Sequence, residues 1–159
     1  MRVAGAAEGL ANVTVLRPGG SSAVTDAHGW FVFSAVPEDP RAAVRVDHPG
    51  YAEAVKPVAV EAGAVHDVEV VVARFTATVQ IDAQTGGTID DGAGGVAVIP
   101  PDALVTADGR LARGMVTVSI APLDPSASAQ MDAFPGDFTA ARSDGSATDL
   151  ETFVPMQVS

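Results

Sequence analysis

Thr25-Asp26-Ala27-His28-Gly29-Trp30-Phe31-Val32-Phe33 is the stretch that decides the fold. It reads as a turn followed by a strand. An Asp side chain can close an Asx-type turn on backbone amides a few residues ahead, and Gly29 supplies a backbone conformation that other residues resist. Trp30 to Phe33 is aromatic and β-branched, a composition that suits a pleated, half-buried surface. Successive strand side chains point to opposite faces, so Phe31 and Phe33 are expected inward, with Trp30 and Val32 on the opposite face.

Outward from this stretch the same grammar repeats. Val13 to Leu16 reads as a strand running into the turn Pro18-Gly19-Gly20, and Ala23-Val24-Thr25 follows. Ala42, Val44 and Val46 alternate with Ala43, Arg45 and Asp47, the period of two that marks a half-buried strand. Pro49-Gly50 turns the chain into Tyr51 to Val60, and Gly63 turns it into Val65 to Val72. In that last run Val68, Val70 and Val72 share a face. Further on, Phe75 to Ile81, Val96 to Ile99 and Met115 to Ala121 are predicted strands. Asp82 to Gly95 and Pro122 to Gly136 are predicted loops. No stretch carries a helical period with start and stop signals. Short strands separated by Gly and Pro turns predict an all-β chain of two tandem antiparallel β-sandwich modules, over 1–73 and 74–159. The second is expected to continue past Ser159, where a strand is still running.

Composition narrows the function classes. The chain has 159 residues, 47% hydrophobic but only 5% aromatic, so its cores are expected to be built from Val, Ala, Leu and Ile. Its net charge is −11, and both halves are acidic, which disfavours nucleic acid and anionic membrane surfaces as partners. There is no cysteine, which removes disulfides, zinc thiolates and cysteine nucleophiles. No apolar run reaches the ~18 residues of a membrane span.

Residues 2–73 resemble the carboxypeptidase regulatory-like domain. The resemblance is carried by Gly9 to Val15, Thr25 to Phe33, Val36-Pro37 and His48-Pro49-Gly50-Tyr51, with Thr25, Asp26, Gly29, Phe31, Phe33, Pro49 and Gly50 as its structural motif. It implies a transthyretin-like sandwich of about seven strands, found in bacterial surface proteins as scaffold or spacer. The second half resembles the region found in cartilage intermediate layer proteins, itself similar to the ankyrin-type spectrin-binding sandwich. Gly86 to Ile89, Val98 to Leu104, Gly114 to Val118, Pro135 to Phe138 and Leu150 to Phe153 carry that likeness. No His-Phe-Ser tripeptide is present, so self-cleavage is not expected.

Motifs for chemistry are sparse. No nucleophile elbow, phosphate loop, HExxH or EF-hand loop occurs. Asp90-Asp91 with Gly92, Gly94 and Gly95 lacks the ligand spacing of a calcium loop and reads as a solvated turn. Asp124, Asp132 and Asp137 lie in or beside one long loop and are the candidate Ca²⁺ ligands; otherwise no cofactor is expected. Each histidine neighbours an Asp: His28 with Asp26, His48 with Asp47, His66 with Asp67. A meander places the His28 and His48 turns at one end of the module, where they could hold a transition metal, and His66 at the other. Catalysis would need a nucleophile beside one pair. Outward Trp30 has three readings: a sugar platform with Tyr51, burial against the second module, or cover by Arg45 in a cation–π contact.

The expectation is a non-enzymatic structural, adhesion or assembly module of a secreted or cell-surface bacterial protein. Its partners would be neighbouring domains or other surface proteins, joined by strand addition. The alternative is a glycan-binding module using Trp30, Tyr51 and Arg45.

Overall fold

The computed structural model describes residues 1–3, 8–17, 19–124, 126–133, 139–141, 147–149 and 156–158. The chain is all-β, its strands gathered mostly into antiparallel sheets. It divides into two compact units: Met1–Arg74 with Leu123–Pro155, and Phe75–Pro122 with Met156–Ser159.

The first unit is built on a four-stranded antiparallel sheet. Its strands are β2 (Thr14–Leu16), β3 (Ser22–Val24), β4 (Ala43–Val46) and β5 (Ala54–Pro57), in the order β3-β2-β4-β5. Val15 faces Ala23 on one side and Val46 on the other, and Val46 faces Ala54. This register collects the small aliphatic side chains on one face. Across from them lies a parallel pair of two-residue strands, β1 (Arg2–Val3) and β6 (Val71–Val72). Val13, Val15, Val44, Val46 and Ala54 from the sheet close on Val70 and Val72, with Leu10, Phe31, Phe33, Tyr51 and Val68 packed around them. That is a β-sandwich core. The unit also holds the antiparallel pair β11 (Thr139–Ala141) and β12 (Ala147–Asp149).

In the second unit β7 (Ala77–Asp82) pairs antiparallel with β10 (Met115–Pro122), which also pairs with β13 (Met156–Val158). A hairpin of β8 (Gly87–Asp90) and β9 (Val96–Ile99) contributes Ile89 and Ile99 to a core with Ile81, Val118 and Ile120. Ser119 is buried, and its hydroxyl meets that of Thr78 across the β7–β10 ladder at 2.9 Å. The polar group therefore enters the interior already paired.

Four sequence expectations change here. Trp30 to Phe33 has the predicted alternation but no ladder, so it is not a paired strand. Val65 to Val70 likewise lacks a ladder, and only Val71–Val72 is strand, paired in parallel with β1. The predicted loop from Asp82 to Gly95 contains β8: its Gly and Asp content masks one inward side chain, Ile89, which is 0% exposed. The predicted loop from Pro122 to Gly136 carries a helical turn, α1 (Ser128–Met131), flanked by buried Leu123 and Ala133. Among the described residues no helix is long and apolar enough to cross a membrane.

Position on the β8–β9 hairpin should govern mutational cost. Ile89→Ala removes a fully buried branched side chain, and urea unfolding should show a loss of about 2–5 kcal/mol. Val98→Ala, at a site 70% exposed on the same hairpin, should stay within about 0.5 kcal/mol of wild type.

Candidate functional site

β3 and β4 are both antiparallel to β2, so both run in the same direction. The turn after β3, carrying Asp26 and His28, therefore lies at the same end of the sheet as the turn after β4, carrying His48 and Tyr51. This end holds most of the residues singled out by sequence.

The first turn is closed from three sides. The Asp26 carboxylate accepts hydrogen bonds from the backbone amides of His28 at 2.8 Å and Trp30 at 2.9 Å. The Asp26 amide donates to the Trp30 carbonyl at 2.9 Å, and the Gly29 amide to the Asp26 carbonyl at 3.0 Å. The Trp30 amide, then that of His28, hold the Asp26 carboxyl below its ordinary value, because they stabilise the charged form. Behind the turn Thr25 is 2% exposed. Its hydroxyl donates to the Leu10 carbonyl at 2.7 Å and accepts from the Val13 amide at 2.9 Å, so one small side chain satisfies two backbone groups.

Gly29 has φ +79°, and a Cβ there would meet the Met1 carbonyl oxygen at 2.5 Å and the Gly9 Cα at 2.7 Å. A Cβ on Gly9 would run into the His28 carbonyl oxygen. Two stretches of backbone thus touch where neither tolerates a side chain. The spacing around Asp26 marks Gly29 in advance; the need for Gly9 appears only once the strands are folded together.

The second turn places its aromatic differently from expectation. Gly50 takes φ +85° after Pro49, and the Tyr51 amide donates to the His48 carbonyl at 3.1 Å. Tyr51 is half-buried on the core, and its ring lies 5.6 Å from that of His48, tilted by 39°. Trp30 is 72% exposed, and among the described residues no ring or cation contacts it. Arg45 does not cover it. Its guanidinium is engaged with Glu53, Nε to Oε1 at 2.6 Å and Nη2 to Oε2 at 3.1 Å. Sequence reasoning missed that pair, although opposite charges flanking the Pro49-Gly50 turn were its signal.

The candidate metal ligands are occupied otherwise or lie out of view. Asp124 accepts from the Ser126 hydroxyl at 2.6 Å and amide at 2.8 Å, which in that order hold its carboxyl below the ordinary value. Asp132 lies 3.8 Å from the Arg2 guanidinium. Asp137 falls outside the described residues. Among the described residues no three His, Asp or Glu side chains converge on a point. His66 Nε2 accepts the Glu61 amide at 3.1 Å, a local turn contact, and no side-chain hydrogen bond reaches the ring of His28 or His48 among the described residues.

Asp26, Asp39, Asp82, Asp90, Asp91 and Asp124 each accept the backbone amide two residues ahead through Oδ1. Asp91 also accepts from Gly95 at 2.8 Å, closing the β8–β9 loop, and the Ala93 amide, then that of Gly95, hold its carboxyl below the ordinary value. Six of the twenty carboxylates that give the chain its acidity are thus turn-closing groups.

With this geometry in place, residues 3–73 match the family model of the carboxypeptidase regulatory-like domain. Modules of that family are β-sandwiches and generally non-catalytic. The comparisons lend no support to the cartilage and spectrin-binding resemblance of the later region. No curated protein and no solved structure matches the chain.

Two experiments test the turn. Thr25→Val keeps the shape but leaves the Val13 amide and the Leu10 carbonyl without their partner. Denaturant unfolding should show a loss of about 1–3 kcal/mol, largely restored in Thr25→Ser. For Asp26 the folded-state pKa is depressed, so its contribution is present above about pH 4 and is lost as pH falls below that. The melting-temperature gap between wild type and Asp26→Asn should be widest near neutrality and close in acid. A gap that does not change with pH would remove the charge from the account of this turn.

Proposed function

We propose that the chain is a non-catalytic structural or assembly module of a secreted or cell-surface bacterial protein, serving as a rigid spacer between neighbouring parts of that protein. The observation that carries this reading is the match of residues 3–73 to a β-sandwich family that is generally non-catalytic. The fate of the carboxylates supports it. Six of the twenty acidic side chains, raw material for acid–base or metal chemistry, are spent on closing turns. Linear order suggests two modules, 1–73 and 74–159, with the second related to the cartilage intermediate layer and spectrin-binding sandwiches.

A second reading has one observation in its favour. Trp30 is 72% exposed and Val32, on the same side of its segment, 77%. An open indole is the kind of surface that stacks on a sugar ring, since the ring is flat and apolar and needs no deep pocket. Tyr51 and Arg45 contribute less to such a platform, because one packs on the core and the other is paired with Glu53.

The two readings separate in one set of assays. Purified chain is passed over insoluble cellulose and chitin and over a printed glycan array, and screened against chromogenic ester and glycoside substrates. The module reading expects no retention above background and no turnover. Retention that Trp30→Ala abolishes would replace it with the glycan reading, and turnover would overturn both.

A further inference from the structure

Past β5 the chain continues to Val60, turns over residues 61–64, and returns through residues 65–69. In the turn the Ala64 amide donates to the Glu61 carbonyl at 3.3 Å, and Gly63 takes φ +75°. The returning arm forms no ladder among the described residues, and a groove of ≈ 360 Å³ lies between it and residues 56–59. Single contacts therefore hold the two arms together at this end.

One of those contacts is made by a ring. Val60 exchanges both of its backbone hydrogen bonds with Asp39, its amide donating at 2.9 Å and its carbonyl accepting at 3.1 Å. Backbone groups of successive extended residues point to opposite sides, so the Glu61 amide faces away from Asp39. Among the described residues no carbonyl receives it; the His66 ring does, through Nε2 at 3.1 Å. An imidazole nitrogen accepts only while it carries a lone pair, so this contact selects the neutral ring with its proton on Nδ1. His28 and His48 make no such contact among the described residues.

The surroundings offer the charged ring a different partner. Glu61 and Asp67 lie on its own loop, and among the described residues neither carboxylate has a hydrogen-bond or ion-pair partner. Lys56 and Glu69 line the same groove, and Glu69 is already engaged by Arg2. Asp39, opposite Val60, spends its carboxylate on the Arg41 amide. Two carboxylates beside His66 are thus uncommitted.

We propose that His66 is a pH-operated latch between the two arms. Imidazole is the side chain whose charge ordinarily changes between about pH 5 and 8. While neutral, the ring is pinned to the Glu61 amide and closes residues 61–66. When Nε2 takes a proton the acceptor is gone, N–H faces N–H, and the imidazolium turns to the Glu61 and Asp67 carboxylates. The returning arm is then held at this end by the turn bond between Ala64 and Glu61. The latch needs neither partner nor ligand, so it stands whichever of the two functional readings holds.

Nitrogen-15 NMR of the purified chain from about pH 8 to pH 5 tests the latch. In wild type the His66 ring should show Nε2 as its unprotonated nitrogen at the alkaline end. The Glu61 amide proton should then move upfield in step with ring protonation. Its protection against exchange, corrected for the intrinsic pH dependence, should fall by about 2–10-fold, the worth of one hydrogen bond. His66→Gln offers a carboxamide oxygen that can accept but does not titrate, so its Glu61 amide should hold steady across the range. His66→Ala should show the unprotected value throughout. His66 is exposed, so both variants should fold as wild type does.

A Glu61 amide that stays flat in wild type overturns the proposal. So does a step of equal size in His66→Gln, which would trace the change to the neighbouring carboxylates. A neutral ring carrying its proton on Nε2 would sink it as well, because such a ring has no lone pair to give the amide.

Discussion

The backbone contact between Gly9 and Gly29 is the constraint on which the first unit depends. Where the chain arriving at β2 crosses the turn after β3, there is room for peptide planes and nothing more: a Cβ on either glycine would run into the other strand's main chain. That closeness lets the Thr25 hydroxyl reach both Leu10 and Val13, and it fixes the point at which the chain leaves the Asp26 turn. From there, alternation alone sends Phe31 and Phe33 to the core and Trp30 to solvent. A contact between two residues with no side chains thus decides where the aromatic ones go.

The same economy explains the composition. Both cores are made of branched aliphatics, valines in the first unit and isoleucines in the second, with few aromatics to fill space. Small side chains allow sheets to close tightly but offer little to hold a turn, so turns must be held by polar chemistry. Six aspartates do this, each carboxylate taking the amide two residues on. The hydrogen bonds favour the ionised form, as the lowered carboxyl values of Asp26, Asp91 and Asp124 show. Part of the negative charge, six of twenty acidic side chains, is then a consequence of how a cysteine-free chain of short strands makes its corners.

How much of this was legible depended on which force wrote the signal. Period-two alternation reports burial, so Ala42 to Val46 and Met115 to Ala121 were read almost residue for residue as β4 and β10. It does not report hydrogen-bond partners, which is why Trp30 to Phe33 shows the right faces and no ladder. Where burial rests on a single side chain the signal fails, as at Ile89 in β8 and at Leu123 and Ala133 around α1. At the candidate site, Asp26, Gly29 and the outward Trp30 were legible because local turn chemistry and alternation place them. The Arg45–Glu53 pair and the His48–Tyr51 stack were not, since each depends on two segments meeting across the Pro49-Gly50 turn.

Sheet edges show how the charge pattern and the fold meet. An exposed edge is a template for another chain, and proteins blunt it with charge or with proline, which has no amide to give. β5, an edge of the four-stranded sheet, carries both in Lys56 and Pro57. β9 is stopped by Pro100-Pro101 directly after Ile99. The segment from Trp30 to Ser34 has neither device, and it lies in the neutral run between Asp26 and Glu38. Edge protection in this chain is therefore uneven, since β3, the other edge of the four-stranded sheet, likewise carries neither charge nor proline over Ser22–Val24.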